Sequence, residues 1–338
     1  MVDNFLGKLI RTDFVSNVEL DDISTYDLGC ELLKRLEVES DNQSLSHNEI
    51  NLFSTLEKIL NQRLEIFENR FSLKWLRGQF YASYHYWQNH QIPLKDATYI
   101  EIGAGAINPF SFMFLYLMLG AKKCFCLEPD SLVNKPLILS NLAETVGKLL
   151  INPKGVILNY PITKEEIISN ISTFNLSALL KGKEEGLDSE KLVYLPESLF
   201  NNSIPNETAD VLITVSVLEH LPDLDLSLQE IGRITKTGGY GLHNIDGMDH
   251  EYYQNSNIHP LDFLRVDTDE KIVGVCNRIR PLNFIEIFER NGFKVLEVRP
   301  YNKMEISSDL RSSFAEPFRS MDQDLLEVIQ AYFLVQKT

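Results

Sequence analysis

The stretch Thr98-Tyr-Ile-Glu-Ile-Gly-Ala-Gly105 decides the fold, together with the Asn108-Pro109 pair and the apolar run that follows it up to Leu119. The first five residues predict a short strand, and the two glycines predict a turn where a ligand can approach the backbone. Proline fits the first turn of a helix, and Gly120 fits its end. A strand that passes through a glycine turn into a helix is typical of sheets built from repeated strand–helix units.

Outward from this unit, strands and helices continue to alternate. Further strands are predicted at Lys123–Leu127, Leu192–Leu195, Val211–Val215, Tyr240–Ile245, Phe293–Val298 and Tyr332–Gln336. Helices are predicted at Asn141–Leu150, after the N-cap candidate Asp223, and at Pro281–Arg290. This order predicts an α/β fold with a doubly wound, mostly parallel, seven-stranded sheet. The connections over about residues 131–190 and 247–280 are longer than a crossover needs, so both are predicted insertions, where such folds carry specificity.

Residues 1–95 are predicted to form a helical N-terminal extension, and residues 96–338 the main domain. Apolar residues recur at helical spacing from Ile50 to Phe71, and an aromatic run follows from Trp75 to Trp87. Two interpretations of the aromatic run remain open. It is either a helix packed against the main domain or a lid that forms one wall of a substrate site, because aromatic side chains combine an apolar body with a polar tip.

The charge balance restricts the partners of the protein. Its 338 residues include 32 Lys and Arg against 48 Asp and Glu, for a net charge of −16. Nucleic acids and anionic membranes both attract clustered cations, so we expect neither as a partner. The chain shows no signal peptide, no apolar run long enough to cross a bilayer and no Cys-x-x-Cys pair among its four cysteines. We therefore expect a reduced, cytoplasmic protein, and the sequence does not exclude a homo-oligomer.

Glu128 ends the second predicted strand, at the same sheet edge as the glycine turn. A carboxylate there can accept hydrogen bonds from both hydroxyls of a ribose, so the sequence predicts a nucleoside-containing cofactor without indicating which one. A dinucleotide fingerprint would carry a third glycine where this chain has Asn108, and the chain has no Tyr-x-x-x-Lys motif at a suitable position. Both differences disfavour an NAD-dependent oxidoreductase, which remains the first rival.

These features resemble those of class I S-adenosylmethionine-dependent methyltransferases over about residues 97–300. The resemblance rests on Glu101-x-Gly103-x-Gly105, on Glu128, and on the run from Asp210 to His220, whose Val-Leu-Glu-His ending is typical of the small-molecule branch. A looser likeness links His243–His250 and Asn277–Arg280 to bacterial methyltransferases often associated with glycans or secondary metabolites. The resemblance implies the Rossmann-like methyltransferase fold and S-adenosylmethionine as the cofactor.

The resemblance also implies which residues hold the cofactor. Glu101 would face the amino group of the methionine moiety or the waters that organise it. Gly103 and Gly105 would pass beneath the sulfonium and carboxylate, and Glu128 would hold the ribose diol. The remaining implied contacts are Glu197 near the adenine, and Val215 and Ser216 at the methionine end.

Methyl transfer from a sulfonium is an in-line displacement, so the protein must align the acceptor and remove a proton if the acceptor is a hydroxyl. We predict His250 as the general base, positioned by Asp246 or Asp249. The plainer alternative for these residues is loop capping. A divalent metal held by the same three side chains is a further alternative, although no metal is the prediction. In a strand His243 and Asp246 would face opposite ways, so the two need not share a site.

The sequence leaves the roles of His220, Arg278 and Arg280 undecided. His220 is either a wall of the pocket or a catalytic residue, and Arg278 and Arg280 either clamp an anionic group of the acceptor or form surface ion pairs. The predicted function is methyl transfer from S-adenosylmethionine to a hydroxyl of a small molecule, a sugar or a secondary metabolite. The rivals are N-methylation of a small amine, the NAD-dependent oxidoreductase, and a methyltransferase-like binding subunit without activity.

Overall fold

A seven-stranded sheet forms the centre of the protein. The computed structural model describes residues 71–253 and 257–338. Its strands are β1 (Thr98–Ile102), β2 (Lys123–Leu127), β3 (Leu192–Leu195), β4 (Ala209–Val215), β5 (Thr235–Asp246), β6 (Ile272–Val273), β7 (Cys276–Asn277), β8 (Phe293–Lys303) and β9 (Val328–Lys337). The sheet order is β3-β2-β1-β4-β5-β9-β8, and β6 and β7 form a separate hairpin. Strands β1 to β5 are parallel, and β9 is antiparallel to both neighbours. The predicted doubly wound, mostly parallel sheet is confirmed.

Helices cover both faces of this sheet. They are α1 (Leu73–His90), α2 (Phe110–Met118), α3 (Lys135–Ile151), α4 (Lys154–Ile157), α5 (Lys164–Asn170), α6 (Leu176–Leu180), α7 (Leu224–Ile234), α8 (Phe284–Arg290), α9 (Ser308–Ser312) and α10 (Gln323–Glu327). Side chains of α1 to α6 share one buried core with one sheet face, and those of α7 and α8 share a second core with the other. Within the described residues, none of these helices is long and apolar enough to span a bilayer.

The predicted strand boundaries agree best with the structure on one side of the sheet, from the edge strand β3 to β1. Strands β1, β2 and β3 begin and end at the predicted residues, whereas β5, β8 and β9 are longer than predicted. Strand β8 lies at the edge of the sheet and is only partly buried along most of its length, so its sequence lacks a strong apolar pattern. The predicted N-cap is confirmed, because Asp223 Oδ1 accepts the Leu226 N–H at 3.1 Å.

The two predicted insertions carry much of the chain outside the sheet. Residues 131–190 hold α3 to α6, and residues 247–280 hold two short 3-10 turns and the β6–β7 hairpin. The second insertion shares a third apolar cluster, including Phe263 and Phe314, with the segment between β8 and β9. The Asn277 side chain donates to the Leu218 carbonyl at 2.8 Å and to the Leu221 carbonyl at 3.2 Å. The second insertion is therefore fixed to the turn that follows β4.

Helix α1 packs against the main domain. The Trp87 and Tyr116 rings meet edge-on, with centres 5.2 Å apart, and His85 and His90 each contact a carboxylate oxygen of Glu297 in β8 at 2.7 Å. Residues 73–90 thus agree with the interpretation of a packed helix. Residues 1–70 of the predicted extension lie outside the described residues, so the helices predicted there stay predictions, as do the role of a lid and the boundary at residue 95.

Candidate active site at the carboxyl edge of the sheet

The glycine turn lies where the strand order reverses, between β1 and β4. In open α/β sheets this is the crevice where ligands bind. Gly103 has φ of +69° and Gly105 has φ of +77°, a region that glycine occupies without strain. A Cβ on Gly103 would lie 2.5 Å from Cγ2 of Val217, whereas a Cβ on Gly105 would meet nothing within 4 Å. Gly103 therefore permits the close approach of the segment after β4, and Gly105 faces open space that a ligand can fill.

Glu128 joins the end of β2 to the glycine turn. Its Oε2 accepts the Gly105 N–H at 2.8 Å, and its Oε1 accepts the Asp130 N–H at 3.1 Å. The residue is 8% exposed, so these bonds hold the carboxylate in one orientation at the edge of the crevice. A carboxylate offers about four acceptor positions, so each oxygen retains room for another donor, such as a ribose hydroxyl.

Three more of the cofactor residues implied by the resemblance lie at the same sheet edge. Glu101 is buried in β1, where it is in register with Ile213 of β4. Val215 ends β4, and Ser216 follows with φ of +52°, which is uncommon for a residue with a side chain. Such strained residues concentrate at functional sites, so the position of Ser216 agrees with a ligand-binding turn.

Glu197 lies in the loop after β3. Its Oε2 accepts the Ser203 N–H at 2.6 Å, and its Oε1 lies 3.0 Å from the Ser203 hydroxyl. The carboxylate therefore closes the turn between residues 197 and 203. Its contact with an adenine stays a prediction.

His250 stands beside two carboxyl groups. Its Nε2 lies 3.5 Å from Asp246 Oδ2 and 4.0 Å from Glu219 Oε1. Asp246 ends β5, and Glu219 lies in the 3-10 turn after β4, so two neighbouring parallel strands bring the acids together at one edge. Of the two acids predicted to position His250, the structure places Asp246 against the ring. The carboxylate of Asp249 instead accepts the Glu251 N–H at 3.0 Å and caps that turn.

Three hydrogen bonds fix the Asp246 carboxylate. Its Oδ2 accepts from the Tyr253 hydroxyl at 2.7 Å and from Gln330 Nε2 at 2.9 Å, and its Oδ1 accepts the Met248 N–H at 3.1 Å. Burial raises the pKa of Asp246, but the hydrogen bonds from neighbouring side chains outweigh burial and hold this pKa below its usual value. Asp246 is therefore an oriented anion next to His250. Gln330 is distant in sequence from the predicted motifs, and Tyr253, three residues after His250, was not singled out by them.

Glu219 has no role in the sequence-based prediction, although it is 1% exposed. Its Oε1 accepts the Asp246 N–H at 3.3 Å, and no hydrogen-bond partner for its Oε2 lies within the described residues. Burial raises the pKa of Glu219 well above its usual value, and the charge of Asp246 acts in the same direction. The available signal was an acid placed directly after the apolar run that ends at Leu218.

His220 and Cys276 complete this group of side chains. The His220 ring meets the His250 ring edge-on, with centres 4.6 Å apart, and its Nδ1 lies 2.7 Å from the Val275 carbonyl oxygen. Cys276 Sγ lies 3.9 Å from the same Nδ1. Burial lowers the pKa of His220 and raises the pKa of the Cys276 thiol to about 12.

Near the predicted acceptor side, His243 and the two arginines make contacts that stabilise the fold. His243 is 1% exposed and stacks on Phe288, with Nδ1 2.8 Å from the Thr214 hydroxyl, so it faces away from Asp246 as predicted. The two arginines donate to backbone carbonyls: Arg278 to Val266 and Thr268, and Arg280 to Gly247, Leu326 and Val328. These bonds fix loops, and a role of either arginine as a clamp on the acceptor stays a prediction. Both arginines line a cavity of about 520 Å³ beside α7 and α8, to which neither the glycine turn nor Glu128 contributes.

Residues 169–242 match a family described as methyltransferase domain. The match runs from the end of α5 through β3, β4 and α7 into β5, so it contains Val215, Ser216 and the Glu219-His220 pair. No protein of curated function matches the sequence.

Solved structures similar to this chain include many methyltransferases, with 547 matching chains in total. One is a methyltransferase dependent on S-adenosylmethionine from Methanosarcina mazei, 14% identical, covering 73% of this chain and 95% of its own, with a TM-score of 0.40. Another, from Mesorhizobium loti, is 10% identical and covers 79% of this chain and 98% of its own, with a TM-score of 0.40. At these values the likeness carries no argument about activity. The fold follows from the strand order, and the family match covers residues 169–242.

Proposed function

We propose, starting from the methyltransferase domain that residues 169–242 match, that this protein transfers the methyl group of S-adenosylmethionine to a hydroxyl of a small molecule, a sugar or a secondary metabolite. The observation that carries the proposal is the contact between Glu128 Oε2 and the Gly105 N–H at 2.8 Å. It places a carboxylate with remaining acceptor capacity beside an open glycine turn, at the crevice where parallel sheets bind nucleosides.

In the proposed complex Glu128 holds the ribose diol, and the glycine turn lies under the methionine half of the cofactor. The full set of proposed cofactor residues is Glu101, Gly103, Gly105, Glu128, Glu197, Val215 and Ser216. Asn108 supports this cofactor over NAD. It is 4% exposed, and its Oδ1 accepts the Ser111 hydroxyl at 2.8 Å, so a buried side chain fills the position where a dinucleotide site needs glycine for close packing of helix and strand.

His250 is the proposed general base on the acceptor side. Asp246 lies 3.5 Å from its Nε2 and is itself held by Tyr253 and Gln330. An imidazole with one nitrogen facing a fixed carboxylate is oriented by it and can present its other nitrogen as a proton acceptor. His250 would take the proton of the acceptor hydroxyl as the oxygen attacks the methyl carbon. The sulfonium loses its charge in the same step, so the neutral thioether leaves in line.

A small acceptor is supported by the composition of the chain. The net charge of −16 disfavours a nucleic-acid acceptor, because such substrates bind through clustered cations. The tyrosines near the proposed base offer flat surfaces with polar tips: Tyr253 packs against His250, with ring centres 5.4 Å apart, and the Tyr301 hydroxyl donates to Asn244 at 3.1 Å. These side chains suit a polar ligand such as a sugar.

The proposal is tested by incubating the full chain with S-adenosylmethionine labelled on its methyl group and with matched pairs of alcohols and amines, including sugars. We expect label in an O-methyl product. Label found only on amines would contradict the hydroxyl acceptor. Binding of S-adenosylhomocysteine without turnover on any acceptor, including a cell metabolite extract, would favour a binding subunit. Oxidation of an alcohol with NAD would replace the proposal by the oxidoreductase.

A further inference from the structure

Two histidines and a cysteine converge beside the proposed acceptor site. One ring nitrogen of His220, one of His250 and the sulfur of Cys276 all lie within 4.8 Å of one another. The three residues come from the turn after β4, the turn after β5 and the β6–β7 hairpin. Within residues 71–253 and 257–338, this is the one group of three metal-ligating side chains that approach one another so closely.

We propose that His220, His250 and Cys276 bind a zinc ion. Imidazole nitrogen and thiolate sulfur are the donors that zinc prefers, whereas magnesium and calcium prefer oxygen. Three protein ligands leave one tetrahedral position for water or a ligand oxygen, as in zinc sites that remain open. This donor set differs from the one raised by the sequence, Asp246, Asp249 and His250, because the Asp249 carboxylate caps the Glu251 turn.

The distances suit this ion. In a tetrahedral site with bonds of about 2.0 Å to nitrogen and 2.3 Å to sulfur, the nitrogen and sulfur atoms lie about 3.6 Å apart. One donor atom from each of the three side chains lies within 4.8 Å of the other two. The donor atoms would have to approach one another by up to about 1.5 Å to close the site.

Each imidazole faces a group of the kind that a ligating histidine uses as its outer partner. His220 Nδ1 lies 2.7 Å from the Val275 carbonyl, and His250 Nε2 faces Asp246 at 3.5 Å. Metal-bound histidines almost always donate their second N–H to a carbonyl or a carboxylate, which fixes the tautomer and the ring orientation. With these contacts, the remaining nitrogen of each ring is available for a metal.

The surroundings also favour a cation. Cys276 is 1% exposed, and the side chain of His250 is 17% exposed, so the donors are shielded from bulk water. Two carboxyl groups, those of Asp246 and Glu219, lie 3.5 Å and 4.0 Å from His250 Nε2. A divalent ion in this place would be attracted by the anionic Asp246 carboxylate and by the thiolate that it creates.

Zinc binding and methyl transfer are separate claims with separate measurements. The His250 nitrogen that would bind zinc is the one that serves as base in the proposed reaction, so one ring cannot do both at once. Metal binding is therefore measured without substrate or turnover. A protein that transfers methyl groups and binds no zinc refutes only the zinc site, and a protein that binds zinc and transfers none refutes only the proposed function.

The test is titration of the metal-free full chain with Co²⁺, a spectroscopic probe for zinc, followed by displacement with Zn²⁺. We expect one ion per chain, visible d–d absorption typical of tetrahedral cobalt, and a near-ultraviolet charge-transfer band from the Cys276 thiolate. The band should disappear in Cys276→Ser and remain in Cys126→Ser, the matched control for a cysteine buried in β2. Asp246→Asn should weaken binding by about 10–100-fold, the usual effect of losing an outer partner.

Zinc content by mass spectrometry of the wild type, after zinc addition and desalting, gives a second readout that needs no variant. Wild type without a charge-transfer band, or with no more bound metal than Cys276→Ser, would overturn the proposal. So would equal loss of the band in Cys126→Ser, because the sulfur would then not be that of Cys276. Circular dichroism of each variant shows whether it is folded before the comparison is made.

Discussion

The carboxylate of Glu128 accepts the backbone N–H of Gly105 at 2.8 Å, which ties the end of β2 to the turn after β1. The glutamate thereby shapes the glycine turn and, in the proposed complex, holds the ribose with the same two oxygens. The Glu128 side chain thus stabilises the turn and, in the proposed complex, binds the ligand. We therefore expect its replacement to lower cofactor affinity as well as to loosen the glycine turn.

Replacement of Glu128 by glutamine should weaken S-adenosylhomocysteine binding by about 1–3 kcal/mol, because the ligand hydroxyls lose a charged acceptor. Isothermal titration calorimetry measures the change. Glu144→Gln, on the exposed face of α3, is the matched control and should bind like the wild type. An unchanged affinity in Glu128→Gln would remove this residue from the cofactor site.

The two glycines of the turn should respond differently to alanine. At Gly103 the new Cβ would lie 2.5 Å from Val217 Cγ2 and φ is +69°, so Gly103→Ala should lower the free energy of unfolding by about 1–3 kcal/mol. Val217→Ala in the same protein should recover part of this loss. Gly105 shares the positive φ, at +77°, but its new Cβ would meet no atom within 4 Å, so Gly105→Ala should cost less stability than Gly103→Ala and also reduce cofactor affinity. Urea denaturation and calorimetry separate the two effects, and equal stability losses would contradict the geometry.

His250→Ala should reduce turnover by about 10²–10⁴-fold, the range for loss of a general base, while cofactor affinity stays unchanged. His90→Gln on α1, half-exposed, is the control and should keep full turnover. The assay uses chelator-treated enzyme, so that the imidazole is free of metal. An enzyme that is inactive after chelation and regains turnover with zinc would contradict the base role of His250.

His243 should make the protein sensitive to acid. Burial lowers its pKa to about 3, whereas in the unfolded chain the pKa is about 6.5. Between these values the unfolded state binds a proton that the folded state excludes. The free energy of unfolding should therefore be fully retained above about pH 6.5 and fall as the pH drops, by up to about 1.4 kcal/mol per pH unit. In His243→Gln this slope should be shallower, as urea denaturation at several pH values would show. Equal slopes in both proteins would mean that His243 is not a neutral buried imidazole.

Sequence patterns predict those elements of the fold that depend on residues close together in the chain. The strand at Thr98–Ile102, its glycine turn and the cap at Asp223 follow from residue type and spacing within a few positions. The edge strand β8 extends beyond its predicted end because most of its residues are only partly buried, which leaves a weak pattern.

The candidate site is predicted less fully, because its parts meet only in the folded chain. Glu128 could be predicted as a candidate from its place at a strand end. Asp246 and His250 could be predicted as candidates because one ends β5 and the other follows it. The contacts that orient them involve Gln330, which is brought to Asp246 by the antiparallel pairing of β5 and β9. Cys276 likewise reaches His220 through a hairpin in an insertion. No periodicity in the sequence encodes such long-range pairings.

Calorimetric titration of the wild-type chain with S-adenosylhomocysteine and, separately, with NAD tests the central claim most directly. The proposed site predicts one S-adenosylhomocysteine bound per chain and no heat of binding with NAD. Binding of NAD in preference to S-adenosylhomocysteine, or no binding of S-adenosylhomocysteine to the folded chain, would contradict it.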